Sequence, residues 1–246
     1  MAALLGASAL LKAAAHKWSG TLVIVFQPDE EETGGAQAMG DNGLYTKVPI
    51  PDIMLGQHIV PSKSGTGHRG SVSGSQPTTM CGPYPRRDED RLAGVPRNDY
   101  VAYADFLLDV KTVEPNIREK VLRVIKHSVK DGCKAANTPQ EPIIKFTMRA
   151  PLTTNDPSAS GAIGRVFKEY FEADAVEVHF TRACEDFSTL GVEHFVPNAY
   201  WNFGGSQTTE EPVPTNHSPF FAPAIQPTLQ VGTDAMSLVA LTFLVT

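Results

Sequence analysis

Three separated points of the 246-residue sequence carry side chains that could do chemistry together. The first is Asp29-Glu30-Glu31-Glu32, directly after the apolar run Thr21 to Phe26 (TLVIVF). The second is Gly56-Gln57-His58 at the end of another apolar run, and the third is Thr215-Asn216-His217, ahead of an aromatic, proline-rich stretch. Carboxylate and imidazole are the donor types a zinc or manganese ion takes, so the chemistry on offer is metal-assisted. Read singly, the acidic run is equally a solvated loop. Glu185-Asp186-Phe187 forms a further polar corner, next to Cys184. No Gly-x-Ser-x-Gly run occurs, which sets aside a nucleophile-elbow serine hydrolase.

The elements that must position these residues alternate between helix and strand. Met1 to Lys17 has Leu4, Ala7, Leu11 and Ala14 on one helical face, broken at Ser19-Gly20. Thr21 to Phe26 reads as a strand buried on both faces, residues 34–39 as a short helix ended by Gly40, and Ile53 to Ile59 as the next buried strand. From Thr66 to Gly94 no periodic apolar face exists. Pattern returns as a strand at 104–110, an amphipathic helix at 114–129 and a strand at 143–148, a β-α-β unit. Asn155-Asp156-Pro157 caps a helix running to about Phe171. A strand at 176–180, an aromatic strand near 200–203 and a last helix over 228–244 complete the chain. Polar groups at the ends of buried strands predict an α/β sheet whose functional loops lie at its carboxyl edge.

The runs FQPDEE (26–31), GGAQAM (34–39), LGQH (55–58), CEDF (184–187), NHSPFFAP (216–223) and GTDA (232–235) resemble the signature segments of the dinuclear-metal amidohydrolases and peptidases of aminoacylase and carboxypeptidase type. Within that clan they are most similar to the branch of hippurate hydrolase and the auxin-conjugate hydrolases. The resemblance implies a three-layer α/β/α zinc-peptidase-like catalytic domain from residues 1–66 and 152–246, with a reduced ferredoxin-like (β-α-β) lid inserted at 67–151. It implies hydrolysis of the amide bond in N-acyl amino acids or small peptides, with two divalent ions, Zn or Mn, per site. By position, Glu30 matches the general base, and Glu31, His58 and His217 match metal ligands. Such a metal lowers the pKa of a water toward ~7 and polarises the amide carbonyl, while Glu30 takes the proton and returns it to the leaving amine. Asn216 is placed to orient His217, and Glu185 to fix the corner beside the site. Lys111, in DVKT, falls where relatives have an Arg that meets the substrate carboxylate, and a solvated strand-end Lys remains the alternative there.

The departures from the family are equally specific. Its Cys-Gly-His-Asp-x-His segment, which supplies a cysteine and a histidine ligand, is not among these residues, and residues 73–94 are unrelated to the lid segment that carries a Gly-Gly-His histidine. The sequence therefore reads as an N-terminally truncated product or a mispredicted gene, its hydrolysis impaired and any homodimer through the lid weakened. The alternative is a catalytically inactive degenerate homologue, acting as an interaction protein or without function. Net charge is −6, from 21 Lys+Arg against 27 Asp+Glu, and no basic run is longer than Arg86-Arg87, so nucleic acid is excluded as a partner. The apolar stretch from Met1 to Leu11 falls short of the ~20 residues that span a bilayer, which excludes a membrane partner. No Lys or Arg precedes that stretch, which argues against a secretory leader. Three widely spaced cysteines, Cys81, Cys133 and Cys184, predict a reducing, cytoplasmic setting.

Overall fold

The computed structural model describes residues 1–31, 34–63, 68–70, 92–94, 101–104, 106, 108, 110, 112, 114–146, 151–178, 185–206 and 214–244. Helix α1 spans Ala2–Ala13, and its Ala3, Ala7 and Leu11, four residues apart, form the buried stripe. A 3-10 turn, Ala15–Lys17, follows. Two short helices come next, α2 at Gly35–Asp41 and α3 at Leu44–Lys47. Strand β1 is Met54–Lys63, β2 His68–Gly70, β3 Leu92–Gly94 and β4 Val101–Ala104. Helix α4 is Pro115–Ala135 and α5 Pro157–Phe171. Strand β5 is Val176–Val178, helix α6 Thr189–Val192, strand β6 Asn198–Ser206 and helix α7 Thr228–Phe243.

The body is organised on the longer of two described parallel pairs, β1 beside β6, in a register that sets Gly56 opposite Tyr200 and His58 opposite Asn202, while the shorter pair sets β2 beside β5. Successive side chains of a strand leave on opposite faces, and the packing follows that parity. Ile53 and Leu55, with Ala199 and Trp201, face a core built with α1, α5 and α7 around Phe167, Ile163 and Val239. Met54 faces a second core with Ala36 of α2, Leu190 of α6 and Val196. Helices therefore cover both faces of the parallel pair, which is the α/β/α layering that the sequence predicts. Trp201 and Phe167, both fully buried, meet edge to face with ring centroids 5.9 Å apart, and truncating either typically costs 3–5 kcal/mol. Asp156 caps α5, accepting from the Ala159 N–H at 2.8 Å.

Several elements differ from expectation. Thr21 to Phe26 carries no ladder and is half-buried, with Phe26 44% exposed. A strand needs a neighbour to take its N–H and C=O groups, and among the described residues the body's long ladder joins only β1 and β6. Val25 instead packs against the second core. The first helix ends at Ala13, before the Ser19-Gly20 break. In the middle of the chain β3 and β4 pair antiparallel ahead of α4. Of the expected strand at 143–148, residues 143–146 are described and lie outside any ladder, Ile143 being 83% exposed. With no partner strand for 143–146 among the described residues, this apolar run gains nothing there from extended pairing. Lys126 Nζ lies 4.7 Å from the Phe146 ring centroid, linking α4 to this run. No described helix is long and apolar enough to cross a membrane.

Candidate metal and catalytic site

The site lies on the α2 and α6 side of the parallel pair. Gly56 has the same parity as Met54 and His58, and a Cβ there would sit 2.7 Å from Tyr200 Cδ2 and 3.1 Å from Phe187 Cε2. Only a glycine lets those two rings close over β1. His58 stands in mid-strand, since β1 runs on to Lys63 where the sequence predicts an end near Ile59. Burial pushes the His58 imidazole below its ordinary value, opposed by a backbone hydrogen bond at Ile59 and by the charge of Glu31. A histidine held neutral in this way is in the form that ligates metal.

Glu31 and His217 come from opposite ends of the chain and meet, with His217 Nδ1 3.2 Å from Glu31 Oε2. His217 sits in a turn, at φ 66°, a left-handed conformation rare for a residue with a Cβ. Asn216 Nδ2 donates to the Ile59 carbonyl at 3.0 Å, which ties that turn to the residue after His58. Lys111 falls outside the described residues, as do Cys81 and Cys184.

Beside this group, Glu30, Glu185 and Asp186 place one oxygen each within 4.8 Å of one another. Burial first, then the charges of Glu185, Glu31 and Asp186, raise Glu30 from 4.5 to about 8. Glu185 is also raised by burial, against the lowering effect of its hydrogen bonds. Its Oε2 accepts from the Tyr200 hydroxyl and its Oε1 from the Phe187 N–H at 2.9 Å. Tyr200 is fixed in turn by Asn155, which donates to its carbonyl at 2.8 Å and accepts from its N–H at 2.9 Å. Burial raises Asp186 as well, opposed by the donors on it, Ala36 N–H and Gln27. Of these supporting groups the sequence singles out Glu185 and Asp186 through the EDF corner. Gln27 stands in the FQP run, but its partner is not readable there. Tyr200 and Asn155 carry no motif signal.

Of the three expected ligands, Glu31 and His217 meet directly, and His58 is near enough to feel the charge of both. Among the described residues, the donor atoms gathered within reach of a single ion are instead those of Glu30, Glu185 and Asp186. Carboxylate and imidazole are donor types a divalent cation takes, and a cation's charge would relieve the repulsion among these carboxyls and reverse the upward shift of Glu30.

A parallel α/β body with imidazole and carboxyl side chains on one side of its central pair defines the class, and the comparisons with known proteins give the family. The chain belongs to peptidase family M20/M25/M40, whose pattern matches residues 1–242. Over 71 residues, 29% of this chain and 14% of the relative, it is 42% identical to IAA-amino acid hydrolase ILR1-like 6 of Arabidopsis thaliana. The match thus covers a small part of that relative's length. Its fold is similar to the YXEP protein of Bacillus subtilis, a dinuclear metal binding peptidase of the M20 family, at a TM-score of 0.68 and 18% identity, covering 97% of this chain and 69% of that one. It is also similar to the aminobenzoyl-glutamate utilization protein of Klebsiella pneumoniae, at a TM-score of 0.61 and 18% identity over 98% of this chain and 66% of that one.

Proposed function

We propose that the chain is a metal-dependent hydrolase of the amide bond in N-acyl amino acids or small peptides, with Glu31, His58 and His217 as metal donors and Glu30 as general base. The carrying observation is the approach of His217 Nδ1 to Glu31 Oε2 at 3.2 Å, from opposite ends of the chain. A bound Zn²⁺ or Mn²⁺ supplies Lewis-acid polarisation of the amide carbonyl and makes a water acidic near neutral pH. Glu30 accepts the proton of the attacking water and delivers it to the departing amine. Adjacent glutamates suit this division of labour, because one can face the ion while its neighbour faces the reacting water. His58, kept neutral by burial, offers a nitrogen lone pair. The division into catalytic segments 1–66 and 152–246 with a lid at 67–151, a homodimer through that lid and a cytoplasmic setting belong to the same proposal.

These 246 residues hold the three donors named and no Cys-Gly-His-Asp-x-His segment, so turnover by this chain is expected to be weak. That sequence observation also favours the second reading, an inactive homologue that serves as an interaction protein. The deciding experiment measures metal content by mass spectrometry and hydrolysis of N-acetyl and N-benzoyl amino acids with added Zn²⁺ or Mn²⁺, for this chain and for a longer one carrying the segment. Metal uptake by both, with strong turnover in the longer chain, supports the hydrolase. Neither metal uptake nor turnover in either chain overturns it in favour of the inactive homologue.

A further inference from the structure

We propose that Asp186 is a positioning residue for Glu30 and Glu31, its one buried carboxylate clamping the chain on both sides of them. The inference deepens the hydrolase reading and rests on it. Gln27, before the two glutamates, donates through Nε2 to Asp186 Oδ1, and the Ala36 N–H, after them, donates to Asp186 Oδ2 at 3.1 Å.

Each part of the clamp is anchored. Asp186 is 1% exposed, and its own carbonyl accepts from the Thr189 N–H at 2.8 Å, fixing it to the first turn of α6. Ala36 is likewise 1% exposed, in the core shared with Met54, Leu190 and Val196. The two sides of the loop also touch directly. Gly34 and Gly35 donate to the Asp29 carbonyl at 3.3 and 3.4 Å, and a Cβ on Gly35 would lie 1.6 Å from the Pro28 carbonyl oxygen.

The clamp is needed because Glu30 and Glu31 crowd other carboxyls, and without a fixed anchor their backbone would relax away from that repulsion. Charge-assisted hydrogen bonds are the strong kind, and a carboxylate with two oxygens can hold two chain segments at once. A misplacement of about 1 Å at a reacting group can cost ~10²-fold in rate, and groups that support metal ligands are typically worth ~10–100-fold in metal affinity.

The test compares Asp186→Ala, Asp186→Asn and Gln27→Ala with the unmutated 246-residue chain. Amide hydrogen exchange at residues 29–31 and 34–36 is measured on metal-free protein, and Zn²⁺ affinity by calorimetry. Asp186→Ala should speed exchange in the loop and weaken Zn²⁺ binding by ~10–100-fold, leaving protection in α5, β6 and α7 unchanged. Asp186→Asn should recover most of both, because with both amides rotated Asn offers its oxygen to the Ala36 N–H and its amide nitrogen to Gln27 Oε1. Gln27→Ala, which leaves Asp186 in the core, should fall between and gives the answer even if Asp186→Ala fails to fold. Unchanged loop exchange in Asp186→Ala and Gln27→Ala would overturn the clamp. Equal behaviour of the Asn and Ala variants would overturn it too, since charge alone would then be at work. So would unchanged Zn²⁺ affinity in the clamp variants where Glu31→Ala abolishes it. No Zn²⁺ binding by the unmutated chain would count against the three-donor site of the hydrolase reading instead, with the exchange measurement still judging the clamp.

Discussion

Glu30 and Glu31 are neighbours in sequence, yet their surroundings differ enough to separate their roles. Glu31 sits against His217, while Glu30 joins Glu185 and Asp186 in a desolvated carboxyl group. In a chain that turns over N-acyl amino acids, Glu30→Gln should abolish hydrolysis while Zn²⁺ binding, read by calorimetry, stays within a few-fold. Retained turnover would remove Glu30 as the base. Glu30 also predicts a pH dependence of stability in metal-free protein. Its carboxyl titrates at about 8 when folded, against an ordinary value of 4.5. Between those values the folded chain binds a proton that the unfolded chain has released, so this contribution is full below about pH 4.5 and is lost as pH rises through about 8. Thermal unfolding followed across that window should show Tm falling more in the unmutated protein than in Glu30→Gln. Parallel curves for the two would contradict the assignment.

At the level of elements, the loop between Gln27 and α2 depends on glycine for a steric reason. Gly35 passes the Pro28 carbonyl so closely that a Cβ would fall 1.6 Å from its oxygen. Gly35→Ala must open the loop, since the obstacle is backbone and cannot rotate aside. The variant is expected to retain far-ultraviolet circular dichroism, because the main core around Phe167 and Trp201 is separate, and to lose Zn²⁺ affinity by more than ~10-fold, the lower end for supporting groups. Unaltered affinity would show that the loop does not set the site. The amphipathic helices were legible because their apolar residues recur every three or four positions. Thr21 to Phe26 was not, because a continuous apolar run tells nothing of whether a strand lies beside it to complete the hydrogen bonds. The stretch 143–146 failed for the same reason.

Across the whole molecule, the proposed donors join the two halves of the chain, Glu31 and His58 from the first and His217 from the second. An ion held by all three ties those halves together in the folded state only. Saturating Zn²⁺ or Mn²⁺ should therefore stabilise the protein, by ~2.7 kcal/mol at a free concentration one hundred times Kd. Differential scanning fluorimetry with and without a chelator reads the shift. His217→Ala should abolish most of it, and an equal shift in that variant would mean the ion binds elsewhere.

The sequence by itself determined the α/β class, the order of most helices and which residues are candidate donors, because side-chain chemistry and periodicity are local properties. It placed Glu30, Glu31, His58, Asn216 and His217 in recognisable runs. Only the tertiary structure decided that Glu31 meets His217, that Asn216 reaches the Ile59 carbonyl, and that Asp186 takes donors from both Gln27 and Ala36. Those pairings join residues far apart in the chain, and the clamp on Asp186 gains strength from the exclusion of water around its buried carboxylate. Neither distance in space nor desolvation is written in the spacing of residues, so both had to wait for the fold.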